Sequence, residues 1–238
     1  MDLKKKVPFK YPMLKSERIA GYIYLPIHAV VLIFFMPAVC VWLFGDGITT
    51  AEMNLCLYAL SFLVVLITMF RFLRASFSDF FDNVIRSLQT VALGYVFYYV
   101  MMFAVSLVIL LAESGISNPN TEAILQETRL NKNVMIVVAV LFAPIVEESL
   151  FRGAVFGSIR QKNRAAAYIV STLLFAVYHL WQYFYVDGFS WTLALYLLQY
   201  IPPSIALAWS YERSSSIWSP ILIHAFINLL SITVSLNL

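Results

Sequence analysis

The chain has 238 residues, of which 61% are hydrophobic, 16% aromatic and only 12% charged. Soluble domains carry about 25% charged residues, so this composition excludes an ordinary water-soluble domain and indicates an integral membrane protein. The formal net charge of +3 is explained below by membrane topology, and we expect no nucleic-acid partner.

Apolar runs of about 20 residues predict the helices that cross the membrane. Seven such runs occur, near residues 19–44, 53–73, 88–112, 133–159, 165–183, 190–211 and 216–236. The stretch 76–87 has apolar residues at helical spacing but contains Asp79, Asp82 and Arg86, which predicts an amphipathic helix at the membrane surface. The predicted fold is all-α, a polytopic membrane helix bundle of about seven (six to eight) transmembrane helices. We expect residues 1–238 to form a single integral membrane domain.

Basic residues are distributed unevenly over the predicted loops. In the seven-span arrangement thirteen Lys and Arg residues fall on one side and only Arg129 and Lys132 on the other, while Arg152 lies within the fourth span. Cytoplasmic loops carry an excess of Lys and Arg. We therefore predict a cytoplasmic amino terminus and a carboxyl terminus on the opposite side. The compact chain with a short basic amino terminus is typical of a bacterial cell-membrane protein.

Few strongly polar side chains interrupt the spans, and each is a candidate for function because a charge in hydrocarbon is costly. They are Glu147, Glu148 and Arg152 in the fourth span, His179 in the fifth, and His224 and Asn228 in the seventh. Counted from the basic side, Glu147, His179, His224 and Asn228 lie about 12 to 21 Å along their helices, so they can share one layer. We therefore expect them to face a cavity open toward the cytoplasmic half of the membrane. His28, in the first span, belongs to no motif and is interpreted as structural.

Helical geometry separates the two adjacent carboxylates. Glu148 and Arg152 are four residues apart on one helix face and can form a hydrogen-bonded ion pair. Glu147 points about 100° away around the helix and has no such partner in its own span. Glu147 is therefore the candidate general base.

The remaining polar residues suit the other steps of a hydrolysis. A neutral imidazole at His179 can orient or deprotonate a water molecule shared with Glu147. His224 and Asn228 are four residues apart, so one helix face presents an imidazole and an amide that can donate hydrogen bonds to an oxyanion. A base, a water molecule and oxyanion donors together indicate hydrolysis of a carbonyl compound.

Three short motifs carry a family resemblance: EESLFR at 147–152 has the pattern EExxxR, FAVYH at 175–179 has FxxxH, and HAFIN at 224–228 has HxxxN. In this order they resemble the CAAX protease and bacteriocin-processing family, also called Abi, of intramembrane glutamic endopeptidases. The resemblance covers about residues 144–230, within a motif-bearing core at about 133–236. It implies metal-independent proteolysis, in which Glu147 and His179 activate water, His224 and Asn228 form the oxyanion hole, and Glu148 and Arg152 support the site.

The expected substrate is a membrane-associated or precursor peptide, such as a bacteriocin or signalling-peptide precursor, and we expect neither a cofactor nor a metal. A prenylated protein substrate would suit a eukaryotic or archaeal relative. Two alternatives stay open. One is a non-catalytic membrane binding or bacteriocin-immunity protein with the same fold. The other is a zinc-dependent membrane protease, although no HExxH motif is present.

Overall fold

The computed structural model of the protein describes residues 9–112 and 118–236. Of these residues 89% are helical, and no strand occurs among them. The described helices are α1 (Lys15–Phe44), α2 (Thr50–Thr68), α3 (Phe70–Asp82), α4 (Val84–Ala112), α5 (Pro119–Leu130), α6 (Lys132–Arg160), α7 (Arg164–Asp187), α8 (Trp191–Ser214) and α9 (Trp218–Leu236).

The predicted spans correspond to helices of the structure. Among the described helices six are long and apolar enough to cross a membrane, namely α1, α2, α4, α6, α7 and α8. The seventh predicted span corresponds to α9, whose apolar part, Trp218–Val234, is shorter. The prediction of an all-α polytopic bundle is confirmed.

The predicted surface helix is displaced toward the amino terminus. The chain leaves helical backbone angles at Met69 (φ −122°, ψ 22°) and again at Asn83 (φ −129°, ψ 42°). The amphipathic helix is therefore α3, which ends at Asp82, and residues 84–87 belong to the first turn of α4. Phe72 and Phe80 of α3 are buried against the bundle, whereas Phe77 and Phe81 are exposed.

The helix α6 lies at the centre of the bundle. In its most apolar window 61% of the residues are buried, compared with 6% in α4. The other spans expose large apolar side chains, as lipid-facing helices do; Trp42 and Leu111 are 82% and 79% exposed. The three charged side chains in the middle of α6, Glu147, Glu148 and Arg152, are thus surrounded by protein and not by lipid.

Close packing at glycines fixes α6 against the chain that precedes α1. A Cβ atom at Gly157 would overlap the ring of Tyr11, and one at Gly153 would lie 2.9 Å from the Met13 Cε atom. The Tyr11 hydroxyl donates to the Gly153 carbonyl at 3.0 Å. Burial raises the pKa of Tyr11 to about 12, so this hydroxyl keeps its proton and remains a donor at neutral pH.

Charged residues gather at one end of the bundle, which we call the basic end. Contacts between segments distant in sequence define it: Lys10 with Asp79 at 3.3 Å, Arg86 with the carbonyl of Arg213 at 2.6 Å, and Arg160 and Arg164 with Glu212. In the predicted seven-span arrangement these basic residues fall on one side of the membrane. Their contacts agree with that grouping.

Amide side chains and the helix α5 mark the opposite end, which we call the α5 end. Asn118, at the start of α5, donates from Nδ2 to Gln199 Oε1 at 2.7 Å. The Asn120 Nδ2 atom donates to the Tyr200 hydroxyl at 3.1 Å. The helix α5 is thereby hydrogen-bonded to the middle of α8, where a 3₁₀ turn at Leu198–Tyr200 precedes Pro202.

Candidate active site

The central helix α6 changes its winding on both sides of the two carboxylates. Val137–Phe142 and Ser149–Phe156 are π-helical, and only the six residues Ala143–Glu148 between them are α-helical. Short π-helical stretches inside α-helices occur frequently at functional sites. Glu147 and Glu148 thus lie at the end of the α-helical segment, directly before the second π-helical stretch.

A proline in this helix explains the position of Asn228. The N–H of Ala143 bonds to the carbonyl of Val138, five residues earlier. Pro144 has no N–H, so in the same register the Ala139 carbonyl receives no backbone bond. The Asn228 Nδ2 atom donates to this carbonyl at 2.7 Å. One amide hydrogen of Asn228 therefore joins α9 to α6, and the second remains for another acceptor.

The predicted ion pair between Glu148 and Arg152 is present. Arg152 Nη1 lies 3.1 Å from Glu148 Oε1, and both side chains are 0% exposed. The Nη2 atom of Arg152 donates to the carbonyl and hydroxyl oxygens of Ser204 at 3.2 and 3.1 Å. The guanidinium carbon lies 4.2 Å from the ring centroid of Phe175, the first residue of the FxxxH motif, so this phenylalanine covers the buried cation.

His224 lies between the two carboxylates. Its Nδ1 atom is 2.9 Å from Glu148 Oε1. A carboxylate paired with arginine only accepts hydrogen bonds, so Nδ1 carries the hydrogen and donates it. The other ring nitrogen, Nε2, lies 3.9 Å from Glu147 Oε2. An oxyanion donor at His224 would therefore have to be Nε2, which carries a hydrogen only when the ring is an imidazolium.

His179 approaches Glu147 from α7. Its Nδ1 atom lies 2.8 Å from the Phe175 carbonyl oxygen, and a carbonyl can only accept, so Nδ1 is the donor. In the neutral ring Nε2 then holds a lone pair, 3.9 Å from Glu147 Oε2. The ring of Tyr200 stacks on this imidazole with centroids 4.5 Å apart, which fixes the plane of the ring.

Glu147 has one oxygen bound by protein and one that is not. The side chain is 95% buried, and Oε1 accepts a hydrogen bond from the Tyr58 hydroxyl at 3.0 Å. Among the described residues none donates to Oε2. Separations of 3.9 Å to the two imidazoles are too long for direct hydrogen bonds, but a water molecule about 2.8 Å from each atom can bridge such gaps.

All six predicted site residues meet in one layer of the bundle. Glu147, His179, His224 and Asn228 line one cavity of about 530 Å³, and Glu148 and Arg152 lie directly behind His224. The structure adds residues that the motifs did not predict around them: Tyr58, Tyr200 and Ser204. The catalytic roles themselves stay predictions.

The cavity extends toward the α5 end. Its lining continues from Glu147 to Asn54 of α2, Gln199 of α8 and the exposed Thr121 of α5. On the other side of the site, every residue of Ser149–Phe156 is buried. The expectation of a cavity open toward the cytoplasmic half is therefore wrong if the basic end is cytoplasmic.

The depth of the site explains why the cavity extends toward the α5 end. A depth of about 18 to 21 Å from the basic end, in a hydrocarbon core about 30 Å thick, puts Glu147 and His179 nearer the opposite surface. Large side chains fill the remaining distance on the basic side; Phe151 and Phe156 are 1% and 0% exposed.

Cysteine labelling tests this direction of access. In a chain with Cys40 and Cys56 replaced, Asn54→Cys should react with a small, polar, membrane-impermeant thiol reagent from the same side as Thr121→Cys. With the basic end in the cytoplasm, that side is the outside of intact cells. Phe151→Cys, the buried control, should react from neither side. Labelling of Asn54→Cys from the side opposite to Thr121→Cys would contradict the described opening.

Comparison with known proteins agrees with the motifs. Residues 129–230 match the family model described as "Type II CAAX prenyl endopeptidase Rce1-like", and this segment contains all six predicted site residues. The resemblance inferred from the motifs is therefore confirmed. No solved structure matches the chain.

Curated relatives are similar over part of their length. The chain is 30% identical over 124 residues to "Putative membrane peptidase YdiL" of Bacillus subtilis, which is 52% of this chain and 46% of that protein. It is 35% identical over 89 residues to "UPF0177 protein YxdF" of Lactococcus lactis, which is 37% of this chain and 43% of that protein. The chain thus spans less than half the length of these relatives.

Proposed function

We propose that the protein is an intramembrane endopeptidase that hydrolyses a peptide bond with water activated by Glu147 and His179. The observation that carries this proposal is the convergence of Glu147 Oε2, His179 Nε2 and His224 Nε2, with Oε2 lying 3.9 Å from each imidazole nitrogen. A general base must reach the proton it removes directly or through one water. The match to an endopeptidase family supports the same conclusion.

The proposed reaction begins with removal of a proton from water. Glu147 Oε2, aided by the His179 Nε2 lone pair, accepts this proton as the water oxygen attacks the scissile carbonyl carbon. The tetrahedral oxyanion accepts hydrogen bonds from His224 Nε2–H and the second Asn228 N–H. The proton held at Glu147 then passes to the departing amide nitrogen, which completes the cleavage.

Charge balance supports an imidazolium at His224. With both carboxylates ionised, as the proposed reaction requires of Glu147, the side chains of Glu147, Glu148 and Arg152 would carry one net negative charge inside the bundle. One imidazolium neutralises it, and the hydrogen on Nε2 then faces the reacting carbonyl. The buried Glu148 and Arg152 pair holds His224 in this orientation through Nδ1, at 2.9 Å.

The reaction should be independent of metal. Among residues 9–112 and 118–236 no group of three or more His, Cys, Asp or Glu side chains is arranged to hold a metal ion. We expect hydrolysis by the purified protein to persist after dialysis against EDTA and 1,10-phenanthroline. The control is a zinc protease that loses activity under the same treatment. Loss of activity that zinc restores would favour a zinc-dependent membrane protease.

The proposed substrate is a membrane-associated or precursor peptide that reaches the site from the α5 end. By the distribution of basic residues, this is the non-cytoplasmic side of a bacterial cell membrane. Residues 1–238 would form one membrane domain, with the catalytic core at about 133–236. Both relatives come from bacteria, which agrees with the proposed bacterial source of this protein.

Peptide mass spectrometry tests the proposal and identifies substrates. Cells that contain the wild-type protein and cells that contain Glu147→Gln at equal abundance are compared in their membrane and secreted peptides. We expect a set of new carboxyl termini only with the wild-type protein. Identical peptide sets would contradict proteolysis and favour a membrane binding or bacteriocin-immunity protein.

A further inference from the structure

A chain of hydrogen bonds leads from the candidate base along the wall of the cavity, which Tyr58, Tyr178 and His28 help to line. The Tyr58 hydroxyl donates to Glu147 Oε1 at 3.0 Å. The hydroxyl oxygens of Tyr58 and Tyr178 are 3.1 Å apart, and the Tyr178 hydroxyl is 3.0 Å from His28 Nε2. His28, for which the sequence alone indicates a structural role, is thereby connected to Glu147 through two tyrosines.

The chain continues into the interior of the bundle. His28 Nδ1 lies 2.9 Å from the Ser61 hydroxyl oxygen, which also accepts a hydrogen bond from the Tyr24 hydroxyl at 2.9 Å. His28 and Ser61 are 1% and 0% exposed, so bulk water cannot replace these partners. The chain joins α1, α2 and α7 to the carboxylate on α6.

Only one donor order satisfies every member when Glu147 is ionised and the His28 ring is neutral. An ionised carboxylate accepts only, so Tyr58 donates to it and must accept from Tyr178. Tyr178 must then accept from His28 Nε2–H, which leaves Nδ1 as the acceptor for Ser61. The donors run in the order Tyr24, Ser61, His28, Tyr178, Tyr58, and all point toward Glu147.

We propose that Tyr58, Tyr178 and His28 are positioning residues that hold Glu147 Oε1 in place and so aim Oε2 at the catalytic water. This inference rests on the proposed function of Glu147 as the base. Aligned hydrogen bonds in a medium of low dielectric constant polarise and strengthen one another. Partners of this kind fix the orientation of a reactive group.

Removal of the Tyr58 hydroxyl should lower the turnover number and leave substrate binding nearly unchanged. We expect Tyr58→Phe to lower kcat by about 10- to 100-fold, the range typical of orienting partners, with KM changed by less than about two-fold. Tyr211→Phe is the matched control, because this tyrosine is 0% exposed and its hydroxyl has no partner among the described residues. An unchanged kcat for Tyr58→Phe would overturn the proposal.

Double substitutions test whether Tyr58, Tyr178 and His28 act together as a relay, in which the effect of His28 reaches Glu147 through the two tyrosines. The alternative is that each residue makes an independent structural contact. We expect His28→Leu to lower kcat by about five- to ten-fold, and His28→Gln, which can still donate to Tyr178, to lose less. In the Tyr58→Phe background His28→Leu should cause no further loss of kcat, because its effect passes through Tyr58. Equal losses in the two backgrounds would mean that His28 acts elsewhere.

Infrared spectroscopy tests the relay without any substrate. The difference spectrum between wild type and Glu147→Gln isolates the carboxyl band of Glu147. Tyr58→Phe should shift this band, His28→Leu should shift it less, and Tyr211→Phe should leave it in place. An unshifted band in both relay variants overturns the relay whatever the activity. Shifted bands together with a wild-type protein that cleaves no peptide would leave the relay standing and contradict the proposed function.

Discussion

Glu147→Gln is expected to lower peptide hydrolysis by about 10²- to 10⁴-fold, the contribution of a general base, while the protein still accumulates in the membrane. The amide cannot accept the proton of the catalytic water. Its oxygen can still accept the hydrogen bond that Tyr58 donates at 3.0 Å, and the buried ion pair of Glu148 with Arg152 is unchanged. Turnover by purified protein, with thermal unfolding as the check on folding, measures both effects.

His179→Ala should reduce turnover nearly as much, because His179 and Glu147 act on the same water molecule. The double variant should lose little more than either single variant, since groups that act as a unit are strongly non-additive. Glu122→Gln on α5 is the matched control for loss of a carboxylate, because Glu122 is exposed and does not line the cavity. Wild-type turnover by Glu147→Gln would rule out the proposed base.

Arg152→Ala is expected to destabilise the protein by about 3 to 5 kcal/mol, because it leaves Glu148 as a buried carboxylate without its cation. The arginine also donates to two oxygens of Ser204 and covers the face of Phe175. Its loss therefore weakens the contacts of α6 with α7 and α8. The expected result is a lower midpoint of thermal unfolding in detergent and a lower yield in the membrane.

Glu148→Gln should be milder than Arg152→Ala. A single oxygen, Oε1 of Glu148, accepts from both Arg152 and His224, at 3.1 and 2.9 Å. A glutamine oxygen at this place can accept both hydrogen bonds, so only the charge is lost. Normal stability and abundance of Arg152→Ala would show that the pair is not buried as described.

The membrane spans could be predicted because lipid imposes a simple rule on the sequence. A helix that crosses hydrocarbon needs a long apolar run, and each predicted run corresponds to a helix. The break at Met69 was not predicted, because the run 53–73 has no charged residue before Arg71 and contains neither proline nor glycine. The departure from helical geometry there depends on how α3 packs, as the burial of Phe72 shows.

The six polar site residues could be predicted because each is costly in lipid and each lies in a short motif. The residues that surround these six, namely Tyr58, Tyr178 and His28, could not be predicted. Tyrosine is common in apolar helices, so Tyr58 and Tyr178 gave no signal, and His28 has its partners 33 and 150 residues away in sequence. The one indication of this network in the sequence was a histidine, His28, in an otherwise apolar span. Its significance depends on the packing of α1 against α2 and α7.

The direction in which the cavity opens could also be determined only from the structure. Residue counting gives the depth of Glu147 along its helix but does not show which side of the site is filled by protein. The side chains that close the basic side, such as Phe151 and Phe156, and the amides that line the α5 side, such as Asn54, are distinguished only by the packed bundle.

Hydrolysis in water enriched in ¹⁸O tests the central claim most directly. Purified wild-type protein and Glu147→Gln are incubated with the same peptide substrates, and the products are analysed by mass spectrometry. Activation of water by Glu147 predicts that the wild-type protein produces new carboxyl termini that carry one ¹⁸O atom, and that Glu147→Gln produces almost none. Cleavage without incorporation of ¹⁸O, or equal amounts of labelled product from the two proteins, would contradict it.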